Sequence, residues 1–238
     1  MTGQSEVPTV LKQKRRTLFL NYIRIPAGPL PPIFPLRSMA ESVAVQYRCY
    51  DASMQRAGFI LTGGRSFRMR TDKALLPWRG RTVVESLAAA VKTAAESCTL
   101  VGAPERYSSL GIPCLEDLRP GLGPLSGLEA ALSATAADWN LILACDFPEV
   151  TPELLRSLLD HASSAGSDVT VTLGAEGEQQ PLCAVYHRRC LAAVRDALDR
   201  NEKRLMEVVR SQHPAIFRTA SPLHNINTPE EWRNALRR

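Results

Sequence analysis

From residue 57 onward, apolar and polar positions fall into two alternating kinds of block. Short unbroken apolar runs are followed by longer amphipathic stretches that open on capping residues. Residues 58–62 (GFILT) form the first apolar run and end in Gly63-Gly64, which predicts a buried strand followed by a tight loop. Thr82-Val83-Val84-Glu85 has the spacing of a capping box and predicts an Ala-rich helix to about residue 95. Strands follow at 98–101 and 112–115, and a helix from 124 to about 134. A very apolar strand at 140–145 ends at Asp146. Thr151-Pro152-Glu153 supplies a helix N-cap with proline in the first turn.

The apolar strands do not alternate in polarity, so both faces of their sheet are covered. This predicts an α/β, three-layer Rossmann-like fold with a mostly parallel central sheet. The second half is more mixed. It predicts strands at 169–173 and 182–186, helices at 189–198 and 202–209, an edge strand at 216–219, and a short terminal helix capped by Thr228. In such sheets the ligand lies at the carboxyl ends of the strands. Gly63-Gly64, Asp117 and Asp146 all fall at strand carboxyl ends.

Composition divides the chain in two. Residues 1–56 hold six of the seventeen prolines, eight Lys or Arg and three Asp or Glu, and show no sustained period. They read as a proline-rich basic extension that cannot bury a core. Residues 57–238 hold 21 basic and 21 acidic side chains and read as the folded domain. The basic excess therefore belongs to the extension, which argues against a nucleic-acid-binding domain. No apolar run reaches the length of a membrane span. The six cysteines form no CxxC pair and read as single buried thiols of a cytoplasmic protein.

The glycine loop continues as Arg65-Ser66-Phe67-Arg68-Met69-Arg70-Thr71-Asp72-Lys73. Adjacent glycines let backbone N–H groups approach an anion, and Arg68 and Lys73 add cations suited to a triphosphate. Neither a Walker loop nor GxGxxG is present. A carboxylate at Asp146 stands where a metal bridging nucleotide phosphates is held. Asp117 precedes a second glycine-rich segment, 121–127. With Asp117 and Asp146 on one edge, the ligand-free site is expected to be a like-charged cluster. Neutralising Asp146 should then leave stability unchanged or raise it. The four scattered histidines carry no assigned role.

Residues 61–73 resemble the LxGGxSxRMGxDK signature of the molybdenum cofactor guanylyltransferases. The resemblance continues through Asp117, 123–127 (GPLSG), 145–148 (CDFP), 180–186 (QPLCAVY), 202–205 (EKRL) and 225–231 (NINTPEE), covering about 57–235. It implies GTP and Mg²⁺ held by Leu61, Thr62, Gly63, Gly64, Lys73, Asp117 and Asp146, with Gly102 nearest the nucleotide on the second strand's loop. Asp146 is the implied metal ligand, and Arg68, Lys73 and Asp146 the implied catalytic groups. Gln180, Pro181, Asn225 and Asn227 resemble positions on the pterin side. The implied partners are GTP and molybdopterin, with transient contact to cofactor-synthesis proteins or apo-molybdoenzymes, and neither membrane nor nucleic acid. Arg70 departs from the family glycine. A cytidylyltransferase on the same pterin, a sugar-phosphate nucleotidyltransferase and a non-catalytic cofactor-binding homologue are the alternatives.

Deleting residues 1–53 is expected to leave folding and nucleotide binding intact. Circular dichroism and GTP titration of the truncated chain check this, and loss of either would make the extension integral.

Overall fold

The computed structural model describes residues 55–62, 72–219 and 223–237; Gly63, Gly64, Arg68, Arg70, Cys49 and the 1–54 segment lie outside the described residues. The sheet is built from β1 (Arg56–Leu61), β4 (Thr99–Gly102), β5 (Cys114–Glu116), β6 (Trp139–Ala144), β7 (Val169–Leu173), β8 (Gln179–His187) and β9 (Ala215–Phe217). Its order is β5-β4-β1-β6-β8-β7-β9. β1 pairs in parallel with β4 and β6, β4 with β5, and β7 with β9. Only β8 is reversed, running antiparallel to β6 and β7. That reversal brings the amino end of β8 to the edge where its neighbours end.

Two helical layers cover the sheet. On one face lie α1 (Val83–Ala95) and α4 (Pro152–Ser164), and α7 (Pro229–Leu236) joins the same core through Trp232 and Ala235. On the other face lie α3 (Pro124–Ser133), α5 (Cys190–Asp199) and α6 (Leu205–Ser211). Successive residues of β1 serve opposite faces: Ile60 packs with Val83 and Leu158, whereas Phe59 and Leu61 pack with Leu125 and Val194. The expected three-layer architecture and mostly parallel sheet are what the chain forms.

Local signals set the helix starts. Thr82 Oγ1 accepts from Glu85 N while Glu85 Oε2 accepts from Thr82 N at 2.8 Å, the reciprocal capping box. Thr151 accepts from Leu154 N, with Pro152 in the first turn. Between β1 and α1 the chain makes a 3₁₀ turn (Lys73–Leu75) and a small ribbon, β2 (Pro77–Trp78) against β3 (Arg81–Thr82). Its tip, Arg79-Gly80, has positive φ at both residues, as a two-residue hairpin requires. A short α2 (Pro104–Tyr107) follows β4.

The five described cysteines are free. Burial pushes Cys98 up to about 12 and Cys114 up to about 11, so neither offers a thiolate near neutral pH. Among the described residues no helix is long and apolar enough to cross a membrane.

Gly58 lets α1 approach β1 closely. A methyl added there would overlap Val91 Cγ1 and stand 2.8 Å from Ser97 O. Gly58→Ala is expected to destabilise the protein by about 1–3 kcal/mol through overpacking. Denaturant unfolding checks this, and an unchanged midpoint would mean the helix shifts freely.

Candidate active site

The parallel strands deliver Leu61 and Thr62, Gly102, Asp117 and Asp146 to one edge of the sheet, from β1, β4, β5 and β6 in turn. Thr62 follows β1 directly, and both its N–H (2.9 Å) and its hydroxyl (3.0 Å) donate to Val101 O. Because β8 is reversed, Gln180 and Pro181 stand at the same edge beyond β6. Gln180 donates to Glu178 Oε1 at 2.6 Å, and Pro181 O accepts from the Tyr186 hydroxyl at 2.8 Å.

Lys73 carries the densest set of contacts. Its ammonium donates to Asp146 Oδ1 at 2.7 Å, to Ile226 O at 2.9 Å and to Asn227 Oδ1 at 2.8 Å. The three acceptors match the three protons of a lysine. The Lys73 side chain is 12% exposed and that of Asp146 31%, so the pair is partly desolvated yet reachable from solvent. Ile226 N closes the cluster by donating to Asp146 O at 2.8 Å.

Lys73 is placed by its neighbour in sequence. Asp72 caps the 3₁₀ turn by accepting from Ala74 N at 3.0 Å. Its other oxygen accepts from the buried Tyr107 hydroxyl at 2.9 Å. The same hydroxyl lies 3.4 Å from Thr62 O, so α2 ties the end of β1 to the turn bearing Lys73. Burial pushes the Tyr107 phenol well above its usual range, keeping it protonated as the donor. Asp72 and Tyr107 have no sequence signal beyond the Asp-Lys pair itself.

Asp117 lies apart from this cluster. Burial raises its carboxyl above the usual range. Helix α3 passes close by: a methyl on Gly127 would stand 3.4 Å from Asp117 Oδ1 and 3.3 Å from Leu61 Cδ2. The intervening loop is fastened by Arg119, which pairs with the buried Glu129 at 3.0 Å and with Asp199 at 2.6 Å. Its backbone N–H donates to Ser126 Oγ at 3.1 Å.

The expectation of a like-charged cluster is therefore corrected. Two strands, β4 and β1, separate Asp117 from Asp146, roughly 14 Å at ordinary strand spacing. The immediate partner of Asp146 is a cation, Lys73. Gly102 ends β4 opposite Glu116 of β5. Asn225 is separate from the Lys73 contacts and lines a small open cleft with Glu149, His224, Ile226, Glu231, Asn234 and Ala235. Its amide oxygen is buried with no hydrogen-bond partner among the described residues.

Asp146 is the strand-end carboxylate available to a cation. Among the described residues no three His, Cys, Asp or Glu side chains gather to hold one. A single carboxylate beside a lysine fits a divalent cation whose remaining ligands are supplied by a bound substrate and water, the usual habit of Mg²⁺.

A mostly parallel sheet with a lysine–aspartate pair at its carboxyl edge fits a nucleotidyltransferase. Residues 58–216 match the MobA-like NTP transferase domain. A probable molybdenum cofactor guanylyltransferase of Flavobacterium johnsoniae is 32% identical over 178 residues, 73% of this chain and 92% of that protein. One from Pelotomaculum thermopropionicum is 34% identical over 188 residues, 75% and 90%. The chain belongs to the MobA-like NTP transferases and, within them, to the molybdenum cofactor guanylyltransferase family. Among solved structures, molybdopterin-guanine dinucleotide biosynthesis protein A from Archaeoglobus fulgidus shares the fold. Its TM-score is 0.66 at 20% identity, covering 76% of this chain and 97% of that one.

Asp146→Asn is expected to lower ligand-free stability by about 1 kcal/mol through loss of the Lys73 pair. That is about 2–4 °C in Tm for a chain of this size. A thermal melt without nucleotide or metal checks it, and an unchanged or higher Tm would show that the pair contributes nothing.

Proposed function

We propose that the chain transfers GMP from GTP to the phosphate of molybdopterin in the molybdenum cofactor, forming the guanine dinucleotide and releasing pyrophosphate. The observation that carries this reading is the Lys73 ammonium, bonded to Asp146 on one side and Asn227 on the other. It joins the strand-end nucleotide edge to the tail that lines the cleft.

In this reading GTP lies along the carboxyl edge, with Leu61, Thr62, Gly102 and Asp117 around the nucleoside. The N–H groups of Gly63 and Gly64, with Arg68 and Lys73, take the β- and γ-phosphates. Asp146 holds Mg²⁺, which when bound neutralises phosphate charge and polarises the α-phosphorus. Lys73 exchanges its Asp146 partner for a phosphate oxygen, so its charge stays matched throughout.

The pterin occupies the cleft beside Asn225 and Asn227, with Gln180 and Pro181 across the edge. The Asn225 amide oxygen, buried and without a hydrogen-bond partner among the described residues, supports an acceptor role toward a pterin N–H once the cleft wall opens to it. The terminal phosphate of molybdopterin attacks the α-phosphorus in line, and the bond to the pyrophosphate oxygen breaks. The nucleophile is anionic near neutral pH, so no general base is needed. Catalysis then rests on positioning and charge. We place the activity in residues 57–238, with residues 1–56 as an extension outside it. The setting is the cytoplasm, with hand-over of the product to apo-molybdoenzymes.

Turnover of molybdopterin with GTP, CTP and ATP in Mg²⁺ tests the reading. GTP is expected to be strongly preferred, whereas preference for CTP would move the chain to cytidylyl transfer. Lys73→Ala is expected to weaken GTP binding by about 1.5–3 kcal/mol, the scale of a charge-assisted hydrogen bond. Unchanged affinity by calorimetry would remove the lysine from the triphosphate site.

A further inference from the structure

Glu231 opens α7 as the third residue after the Thr228 cap, and Thr228 Oγ1 accepts from its N–H in return. The carboxylate does more than helix capping requires. Its Oε2 accepts from Thr228 N at 3.0 Å, the ordinary capping bond, and from Asn227 N at the shorter distance of 2.6 Å. The second bond pins the peptide joining residues 226 and 227. That peptide segment carries two of the three acceptors of Lys73, Ile226 O and Asn227 Oδ1.

The same helix also grips the chain that follows the lysine. Trp232, next after Glu231, packs its ring against Trp78 with centroids 5.3 Å apart. Trp78 lies in β2, just beyond the 3₁₀ turn that holds Lys73. One turn of α7 thus fixes both the acceptors and the segment that presents the donor.

We propose that Glu231 is a positioning residue for nucleotidyl transfer. Through Asn227 it holds a two-acceptor cradle that keeps the Lys73 ammonium aimed at the phosphate site. The proposal rests on the assignment of Lys73 to the triphosphate made above. A lysine side chain left free must be ordered anew when substrate binds, and the cradle removes that entropic penalty in advance. When Lys73 trades Asp146 for a phosphate oxygen, Ile226 O and Asn227 Oδ1 remain as its anchors. Glu231 touches no reacting atom in this arrangement.

The test separates the cradle from plain helix capping by using the full chain and three variants. Glu231→Ala removes both bonds. Glu231→Gln keeps a capping acceptor and can restore them. Thr228→Ala weakens the cap while leaving the Asn227 bond to Glu231 in place. The first readout needs no nucleotide: the acetylation rate of the Lys73 amine, followed by mass spectrometry against the exposed Lys92. Glu231→Ala is expected to raise Lys73 labelling roughly three- to tenfold, the scale of releasing one immobilised side chain. Thr228→Ala and Glu231→Gln should stay near the native rate. Unchanged labelling in Glu231→Ala, or equal rises in Glu231→Ala and Thr228→Ala, would overturn the proposal.

The second readout is affinity for GTP against GMP. Glu231→Ala is expected to weaken GTP binding roughly three- to tenfold, leave GMP binding unchanged, and add nothing in a Lys73→Ala background. A further loss in that background would overturn the route through Lys73. Raised labelling with unchanged GTP affinity would support the cradle and instead refute the assignment of Lys73 to the triphosphate. Should Glu231→Ala not fold, Glu231→Asp keeps an acidic first turn and withdraws the carboxylate from Asn227. It is expected to raise labelling in the same sense, and a native rate there counts against the proposal.

Discussion

The site depends on how one ammonium group is satisfied. Lys73 brings three donors to a partly buried position, where an unmatched charge would be costly. The protein meets them with a carboxylate from the end of β6 and two oxygens from the tail before α7. These acceptors are 73 to 154 residues from the lysine in sequence, so they meet only when the sheet is complete and the tail has returned across it. Everything that fixes this meeting, from the Asp72 cap to the Tyr107 hydroxyl and the Trp78–Trp232 contact, serves the site as much as the fold.

The strand order explains the division of labour around that lysine. With β1 next to both β4 and β6, the chain leaves β1 at the point where connections diverge, the usual ligand crevice of open α/β sheets. Asp117 falls on one side of that point and Asp146 on the other. The half-buried Asp117, whose carboxyl is raised by desolvation, and the ion-paired Asp146 therefore meet different environments although both follow parallel strands. Reversal of β8 adds Gln180 and Pro181 to the same edge, which a wholly parallel sheet would have sent to the far side.

Much of this was legible in the sequence because the signals are local. The boxes at Thr82–Glu85 and Thr228–Glu231 need only a three-residue spacing, and both form. The apolar run before Asp146 becomes the central β6, and the helix expected from residue 124 begins there. The direction of β8 was not legible, since a strand buried on both faces reads alike either way. The ribbon of β2 and β3 is too short to carry a period. The helix expected from 202 starts only at Leu205, because the Glu202 carboxylate folds onto the Lys203 and Arg204 N–H groups and pairs with the Arg204 guanidinium. The Lys73–Asp146 pair was hidden for a different reason. Each residue was visible as a candidate, but their contact depends on strand order, and no local pattern encodes that.

The central claim is that Lys73 stands on the tail and serves the triphosphate. A crystal structure of the chain with GTP and Mg²⁺ tests it most directly. The account predicts the Lys73 ammonium within hydrogen-bond distance of a β- or γ-phosphate oxygen, still bonded to Asn227, with Asp146 released from it. A triphosphate bound elsewhere, with Lys73 still paired to Asp146, would contradict it.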